Sequence, residues 1–288
     1  MWRFYFVVND ASSIVSIIRY VVLPLLHIAI LAIVQGVTEF LPVSSSGHLI
    51  LMPSLLGWED QGLNIDIAVH VGTLGAVLVY FWRDIVSICI SLFTSNASHS
   101  SNRALAKCLL ISALPVLVAG ALLVIFYPTA FRSPEIIAYT MILFGILLWV
   151  ADRIGLTTKK IEQVRLRDAL VIGLFQILAL VPGTSRSGIT ITGARFLGFD
   201  RQSAARFSML MSIPVIFGAG TVTGIKLLEN DQASLTGNEW IAAALAFGAA
   251  LISIAFLIRI LQHISFLPFV LYRIALGVAI LFFCYDLA

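Results

Sequence analysis

Residues 35–48, QGVTEFLPVSSSGH, lie between two apolar runs, LLHIAILAIV before them and LILMPSLL after them. A proline disturbs the turn that precedes it in a helix. A helix formed by the first run should therefore break near residues 40–43. The serines at 44–46 can then cap a second helix that runs through His48 to Leu55. The stretch predicts a broken helical segment that carries polar groups within an apolar chain.

The composition predicts a membrane protein. The chain has 288 residues, of which 60% are hydrophobic and 11% are charged, and its mean hydropathy is +1.01. Soluble domains are about 45–50% apolar and about 25% charged. We expect one integral-membrane domain over 1–288, in which residues 1–20 form an N-terminal, interfacial extension. The net charge of +3 is too small to indicate a nucleic-acid partner.

Eight apolar segments approach the length of about 20 residues that a spanning helix requires. The first and fifth are interrupted by polar motifs, so a count of eight spans is too high. The predicted fold is an all-α polytopic membrane protein, an inverted-repeat bundle of about six spanning helices plus two re-entrant helical segments. The segments are 21–41, 65–93, 105–127, 135–151, 169–195, 203–228, 239–261 and 266–286.

The loops differ in charge. Residues 152–168 carry five Lys and Arg side chains, and 94–107 adds Arg103 and Lys107, whereas 229–239 is acidic. Cytoplasmic loops carry an excess of Lys and Arg. We therefore expect 152–168 and 94–107 on the cytoplasmic side and 229–239 on the outer side.

A related motif occurs twice in the chain. Gln35 followed by LPVSS at 41–45 resembles Gln176 followed by VPGTS at 181–185, an alignment that places Pro42 opposite Pro182. Weak internal repeats with interrupted apolar segments are typical of membrane folds whose site lies at the repeat interface near the midplane. Chance similarity between two apolar sequences is the alternative.

The first copy offers acidic and hydroxyl groups. Gln35 and Glu39 are four residues apart and share a helix face. The serines, Ser44, Ser45 and Ser46, begin a helix whose N-terminus suits a phosphate. Glu39 and His48 would flank that N-terminus.

The second copy supplies a cation. Gly183 and Gly188 let the backbone approach a ligand, and Arg186 offers a planar fork that matches phosphate oxygens. An arginine between apolar segments is a functional-site hypothesis by default. The hydroxyl groups that accompany it belong to Thr184, Ser185, Ser187 and Thr190.

Packing is the competing interpretation for several of these residues. Small residues in membrane helices often serve close helix contacts. We interpret His27 and His70 as side chains that pack or that satisfy neighbouring polar groups, and Asp66 either as part of the site or as an interfacial residue. Packing does not explain Glu39, the hydroxyl groups, His48 and Arg186 together, because each is costly in lipid.

Together these groups fit phosphoryl chemistry. Ser45 could be the nucleophile or a phosphate ligand, and Glu39 or His48 could transfer protons. Arg186 and the helix N-termini would stabilise charge on the transferred group. Glu39, with the Gln35 carbonyl, could instead hold Mg²⁺ or Ca²⁺ through oxygen ligands that bridge a diphosphate.

At these residues the sequence resembles the undecaprenyl-diphosphatase family, the integral-membrane type associated with bacitracin resistance. The family pattern FLPVSS-x-GH matches residues 40–48, and PG-x-SRS-x-x-T matches 182–190. The resemblance implies hydrolysis of undecaprenyl diphosphate to the monophosphate and phosphate, which recycles the lipid carrier for cell-wall synthesis. It also implies a divalent cation, a multi-pass plasma-membrane location and an active site that faces the outer side.

The resemblance carries catalytic roles to Glu39, Ser45, His48 and Arg186, with Gln35, Ser44, Ser185 and Thr190 in support. Gln35 stands where many members have glutamate, which leaves Glu39 as the only carboxylate in this motif. The expected partner is a prenyl diphosphate lipid, and a homodimer is left open. A transporter that binds an anion between broken helices is the competing function, but it has little need of Glu39, Ser45 and His48 together.

Overall fold

The structure, a computed structural model, describes residues 23–58, 61–94, 99–126, 133–229 and 237–286. The predicted interfacial extension at 1–20 lies outside these residues. Within them the regular structure is helical, apart from one isolated bridge between Lys159 and Phe199. The α-helices are α1 (Leu23–Thr38), α2 (Ser45–Leu56), α3 (Gly62–Tyr80), α4 (Trp82–Phe93), α5 (Ser100–Phe126), α6 (Pro134–Ile154), α7 (Leu166–Ile177), α8 (Arg186–Phe196), α9 (Arg201–Glu229), α10 (Gly237–Ile260) and α11 (Leu267–Asp286).

Six of the described helices, α3, α5, α6, α9, α10 and α11, are long and apolar enough to cross a membrane. The two polar motifs lie between α1 and α2 and between α7 and α8, where they interrupt the apolar segments as the sequence predicted. The all-α polytopic fold with six spanning helices and two shorter helical pairs is therefore confirmed.

The basic loops lie on one face of the bundle. Lys159 pairs through its backbone with Gly198 and Asp200, which joins the loop after α6 to the start of α9. The Asp152 carboxylate accepts a hydrogen bond from the Phe266 amide, which places the start of α11 there as well. We call this surface the basic face. Residues 152–168 and the start of α5 lie together at this face, as predicted, because the Cys108 thiol lies 3.9 Å from the Val164 carbonyl.

The α7–α8 pair enters the bundle from the basic face. α7 runs beside α5, and Gly173 lets it approach closely, because a Cβ there would lie 2.5 Å from the Ser112 carbonyl oxygen. α8 then returns to the basic face, where it ends at Phe196. The pair is thus a re-entrant hairpin whose tip lies inside the bundle.

The α1–α2 pair enters from the opposite face. α1 runs parallel to α10: Ala32 packs with Ala242 and Ala246, and a Cβ on Gly36 would overlap the Ala246 carbonyl oxygen at 2.5 Å. These contacts repeat those of α7 with α5. The contact of α3 with α10 in one half corresponds to the contact of α9 with α5 in the other half. The helices α6 and α11, one from each half, pack on each other. The two halves are therefore related as an inverted repeat.

The structure corrects the register of the repeat by one residue. Among the described residues, Ser44 and Ser185 are the two non-glycine residues with positive φ, 78° and 71°. Each caps the helix that follows and accepts a hydrogen bond from the amide of Gly47 or Gly188. Ser44 thus corresponds to Ser185 and Ser45 to Arg186. The alignment of Pro42 on Pro182 is wrong, because the equivalent positions are set by the caps and not by the prolines.

Candidate active site

The first hairpin tip presents the Glu39 carboxylate. α1 ends at Thr38 and the Glu39 amide still donates to the Gln35 carbonyl, 2.9 Å away, so the two side chains share a face as expected. Gln35 Nε2 donates to Glu39 Oε2 over 2.9 Å. Glu39 is 7% exposed, so its charge depends on protein partners for stabilisation.

Ser45 is the first residue of α2 and points at that carboxylate. Its Oγ donates to Glu39 Oε2 over 2.7 Å. The left-handed conformation of Ser44 turns the chain sharply enough for residues 39 and 45 to meet, at a cost of about 1–2 kcal/mol. A hydroxyl bonded to a carboxylate is the arrangement that activates a nucleophile.

Arg186, the equivalent residue of the second hairpin, approaches Glu39 from the other side. Its Nη2 donates to Glu39 Oε1 over 2.8 Å, and its Nη1 donates to the Ser208 carbonyl of α9 over 3.0 Å. The Arg186 side chain is 14% exposed. The first residues of α2 and α8 therefore meet on one carboxylate, and the two helix N-termini point toward the same region.

The tips also contact each other and α9. Ser187 Oγ donates to the Leu41 carbonyl over 2.9 Å, which joins the second tip to the first. Thr190 Oγ1 donates to the Arg186 carbonyl over 2.9 Å and lies 2.7 Å from Ser208 Oγ. Thr190 thus supports the helix turn that carries Arg186, and its substrate-binding role stays a prediction.

His48 is held by Ser44 and Tyr272. Its Nδ1 lies 2.7 Å from the Ser44 carbonyl oxygen and its Nε2 lies 2.6 Å from the Tyr272 hydroxyl. A carbonyl oxygen only accepts, so Nδ1 carries the proton. Both ring nitrogens are bonded to protein atoms, and the ring stacks beside Tyr272. Its catalytic role stays a prediction.

The other predicted residues fall into different surroundings. Ser46 is exposed at the start of α2, whereas Thr184 is buried and its hydroxyl has no hydrogen-bond partner among the described residues. Gly183 has a φ of 89°, and a Cβ there would lie 2.1 Å from Thr140 Oγ1. Close packing against α6 therefore accounts for this glycine without a ligand.

The sequence interpretation missed three groups at the site. His70 of α3 was interpreted as a packing or structural polar residue, yet its Nε2 lies 4.0 Å from Glu39 Oε2. Ser208 was not singled out. Arg273 of α11 is fully buried and donates to the carbonyls of Gly183 and Thr184, at 3.0 and 2.8 Å. The adjacent polar pair Tyr272–Arg273 in an apolar helix was the available signal.

The described residues gather no group of three His, Cys, Asp or Glu side chains that could hold a metal ion. Both Glu39 oxygens already accept hydrogen bonds, and the Arg186 guanidinium lies beside one of them. Beside Glu39, Gln35 Oε1 is a buried oxygen that has no hydrogen-bond partner among the described residues. The set therefore fits a cation held mainly by a ligand's own oxygens. That Glu39 binds a cation stays a prediction.

Comparison with known proteins places this site in a family. The sequence model of the family described as bacitracin resistance protein BacA matches residues 28–279. The chain belongs to the BacA family. This BacA-family chain is 49% identical over 266 residues to an undecaprenyl-diphosphatase of Ruegeria pomeroyi, an alignment that covers 91% of this chain and 99% of the relative.

Two further relatives carry the same name. An undecaprenyl-diphosphatase of a Jannaschia species is 50% identical over 260 residues, which is 89% of this BacA-family chain and 97% of the relative. One of Saccharophagus degradans is 48% identical over 255 residues, 88% and 96% of the two chains. The family resemblance drawn from the two motifs is thereby confirmed, and all the residues that meet at Glu39 lie inside the matched range.

Proposed function

We propose that this protein hydrolyses undecaprenyl diphosphate to undecaprenyl phosphate and inorganic phosphate, and so recycles the lipid carrier for cell-wall synthesis. The observation that carries the proposal is the 2.7 Å hydrogen bond from Ser45 Oγ to Glu39 Oε2, with Arg186 on the other carboxylate oxygen. The names of the relatives support the substrate. Release of the carrier from its diphosphate form is also the activity that would confer bacitracin resistance.

Ser45 is the nucleophile in this proposal. Glu39 takes the Ser45 proton as Oγ attacks the terminal phosphorus, and the lipid monophosphate leaves. The hydrogen-bonded pair is already in reach for proton transfer, since general bases act over about 2.6–3.2 Å. Ser45 is partly exposed, so the attacking oxygen can meet a phosphate that enters between the two tips.

Arg186 and the two helix N-termini stabilise the transferred group. Phosphoryl transfer depends mainly on positioning and on charge stabilisation. The guanidinium holds Glu39 in the free protein and has a second anchor on the Ser208 carbonyl. When a phosphate enters, the Arg186 guanidinium can also donate hydrogen bonds to phosphate oxygens.

The prenyl tail lies among apolar side chains outside the polar tips. An apolar groove of about 360 Å³ runs between α5 and the chain just before the second tip. Its walls end at Val181, five residues before Arg186. The lining residues are Ala119, Leu122, Leu123, Phe126, Ile177, Leu178, Leu180 and Val181.

We also propose that a divalent cation, Mg²⁺ or Ca²⁺, would bind together with the diphosphate. Magnesium in phosphoryl-transfer sites keeps few protein ligands and binds the substrate phosphates. Gln35 Oε1 is the protein oxygen suited to join it, because it is buried without a partner. The cation would neutralise phosphate charge.

The protein lies in the bacterial plasma membrane with the basic face toward the cytoplasm. The positive-inside rule supports this orientation, since Arg153, Lys159, Arg165 and Arg201 belong to that face. The α1–α2 hairpin then enters from the outer side, and the polar residues at the start of α3 lie on that side as well. The diphosphate reaches the site from that side.

A phosphate-release assay tests the function. Purified protein in detergent with undecaprenyl diphosphate and Mg²⁺ should release inorganic phosphate. Ser45→Ala and Ser45→Thr should both reduce the rate by about 10³-fold or more, because alanine lacks the hydroxyl and threonine does not keep the primary alcohol of serine. Full activity of Ser45→Ala would remove Ser45 as nucleophile. Lipid movement across vesicles without phosphate release would instead identify a transporter.

A further inference from the structure

His70 lies on the open side of the Glu39 carboxylate. It belongs to α3, and its Nε2 is 4.0 Å from Glu39 Oε2. The His70 side chain is 41% exposed, whereas that of Glu39 is 7% exposed. The gap between the two atoms is longer than a direct hydrogen bond, so a water or a phosphate oxygen can approach both groups.

The hydrogen bonding of His70 determines which nitrogen is free. Nδ1 lies 2.7 Å from the backbone carbonyl oxygen of Asp66, one turn earlier in α3. A carbonyl oxygen cannot donate, so Nδ1 carries the proton and Nε2 of the neutral ring has a lone pair. That lone pair faces the region above Glu39. The ring is therefore oriented as a base.

His48 does not have this freedom. Its Nδ1 donates to the Ser44 carbonyl, and its Nε2 meets the Tyr272 hydroxyl at 2.6 Å. Both nitrogens are thus engaged by the protein. Of the two histidines near the tips, His70 is the one with a nitrogen that can accept a proton from a water molecule.

The proposed reaction needs a second base. Glu39 receives the Ser45 proton in the first step and must return it to Ser45 Oγ when the phosphoserine is hydrolysed. The proton of the attacking water therefore requires another acceptor. Gln35 occupies the neighbouring position with an amide and cannot accept it, so the motif itself offers no second carboxylate.

We propose that His70 is the general base for the water that hydrolyses the phosphoserine on Ser45. In the first step Ser45 Oγ bonds to the terminal phosphorus, the bridging P–O bond breaks and Glu39 takes the serine proton. In the second step the water oxygen bonds to phosphorus, the P–Oγ bond breaks, His70 Nε2 takes a water proton and Glu39 returns its proton to Ser45. Inorganic phosphate leaves, and His70 releases its proton to solvent. The proposal rests on the phosphatase function proposed above.

Polar side chains lie at the start of α3, on the N-terminal side of His70. Gln61 Nε2 donates to Asp66 Oδ1 over 2.7 Å at the start of α3, and Asp66 is linked to His70 through its carbonyl. These residues continue from the site toward the face opposite the basic face. The neighbouring ring of His27 stacks on Trp58, with centroids 4.0 Å apart, and lies on the same side of the bundle.

Separate measurement of the two steps tests the proposal. The full-length protein receives undecaprenyl diphosphate labelled with ³²P in the terminal phosphate, and lipid monophosphate and inorganic phosphate are followed by rapid quenching. His70→Ala should release about one equivalent of lipid monophosphate at the normal rate and retain ³²P on the protein. It should release inorganic phosphate at least about 10²-fold more slowly than the unmodified protein, since general bases contribute about 10²–10⁴-fold. Added imidazole should restore phosphate release.

His70→Asn and His263→Ala complete the set. The asparagine amide can donate to the Asp66 carbonyl but is not a base, so His70→Asn should also accumulate phosphoprotein even if the alanine variant folds poorly. His263 is exposed between α10 and α11, and its alanine variant should match the unmodified protein. Normal phosphate release by the His70 variants, or loss of both steps without phosphoprotein, would overturn the proposal for His70. Activity in Ser45→Ala would instead overturn the nucleophile on which it rests.

Discussion

At the scale of single residues, the site depends on one carboxylate that receives three kinds of donor. Glu39 accepts from an amide, a hydroxyl and a guanidinium that come from α1, α2 and α8. Removing one partner of a buried charge pair costs about 3–5 kcal/mol because the other charge is left uncompensated. Substitutions at Glu39 or Arg186 therefore affect stability as well as rate, and conservative variants are the informative ones.

Arg186→Lys should reduce the turnover number by about 10²–10³-fold, the loss associated with removal of one charge-stabilising donor. The guanidinium reaches Glu39 Oε1 and the Ser208 carbonyl through separate nitrogens, and an ammonium does not reproduce this planar, forked geometry. Steady-state phosphate release measures the effect. Arg206→Lys is the matched control: Arg206 pairs with Asp84 near the basic face and is 38% exposed, so its variant should retain activity. An active Arg186→Lys would contradict the planar, two-anchored role.

At the scale of elements, each re-entrant hairpin turns at a serine with left-handed backbone. Ser44 and Ser185 provide the cap of the returning helix and also occupy a conformation that normally favours glycine. The cap is worth about 0.5–2 kcal/mol, whereas the left-handed conformation costs about 1–2 kcal/mol. The two terms nearly cancel, so serine is retained for the position it gives to the next residue.

Ser44→Gly should be more stable than Ser44→Ala by about 1 kcal/mol. Both variants lose the hydrogen bond from the Gly47 amide, but glycine removes the left-handed strain and alanine does not. Thermal unfolding in detergent measures the order. Ser253 lies within α10 and has no positive φ, so there alanine should exceed glycine by about 1 kcal/mol. The same order at both positions would show that strain does not govern the tip.

The break between α1 and α2, its cap and the pairing of Gln35 with Glu39 could all be predicted from the sequence. Each depends on residues close in the chain: Pro42 ends one helix, and Ser44 begins the next. The register of the repeat could not be predicted, because Pro42 and Pro182 suggested an alignment that the backbone does not follow. His70 was missed for another reason. The sequence around His70 does not indicate a neighbouring carboxylate, because Glu39 approaches His70 only in the tertiary fold.

At the scale of the whole molecule, a buried carboxylate joins four helices at the basic face. Asp152 at the end of α6 accepts from Arg195 Nε at 3.1 Å and from Arg201 Nε at 2.8 Å, and its Oδ2 accepts from the Phe266 amide at 3.3 Å. It thereby joins α6, the end of α8, the start of α9 and the start of α11. Arg195 is fully buried and also donates to the Phe199 carbonyl.

Asp152→Asn should lower the free energy of unfolding by about 3–5 kcal/mol, because it leaves the buried Arg195 charge without its counter-ion. The amide would also place a donor near the Phe266 amide. Thermal or denaturant unfolding of the purified protein measures the change. Glu162→Gln, at an exposed position on the same face, should change the value by less than about 0.5 kcal/mol. Equal stability of the two variants would show that the ion pair contributes little.

The correspondence of Ser45 with Arg186 has a consequence for the history of the fold. Two identical hairpins facing each other would place the same residue at both positions: two serines lack a cation, and two arginines lack a nucleophile. A symmetric assembly of half-length chains could not build this centre. The two positions could diverge, one toward attack and the other toward charge, only once the two copies had separate sequences. The chemistry is therefore younger than the architecture that holds it.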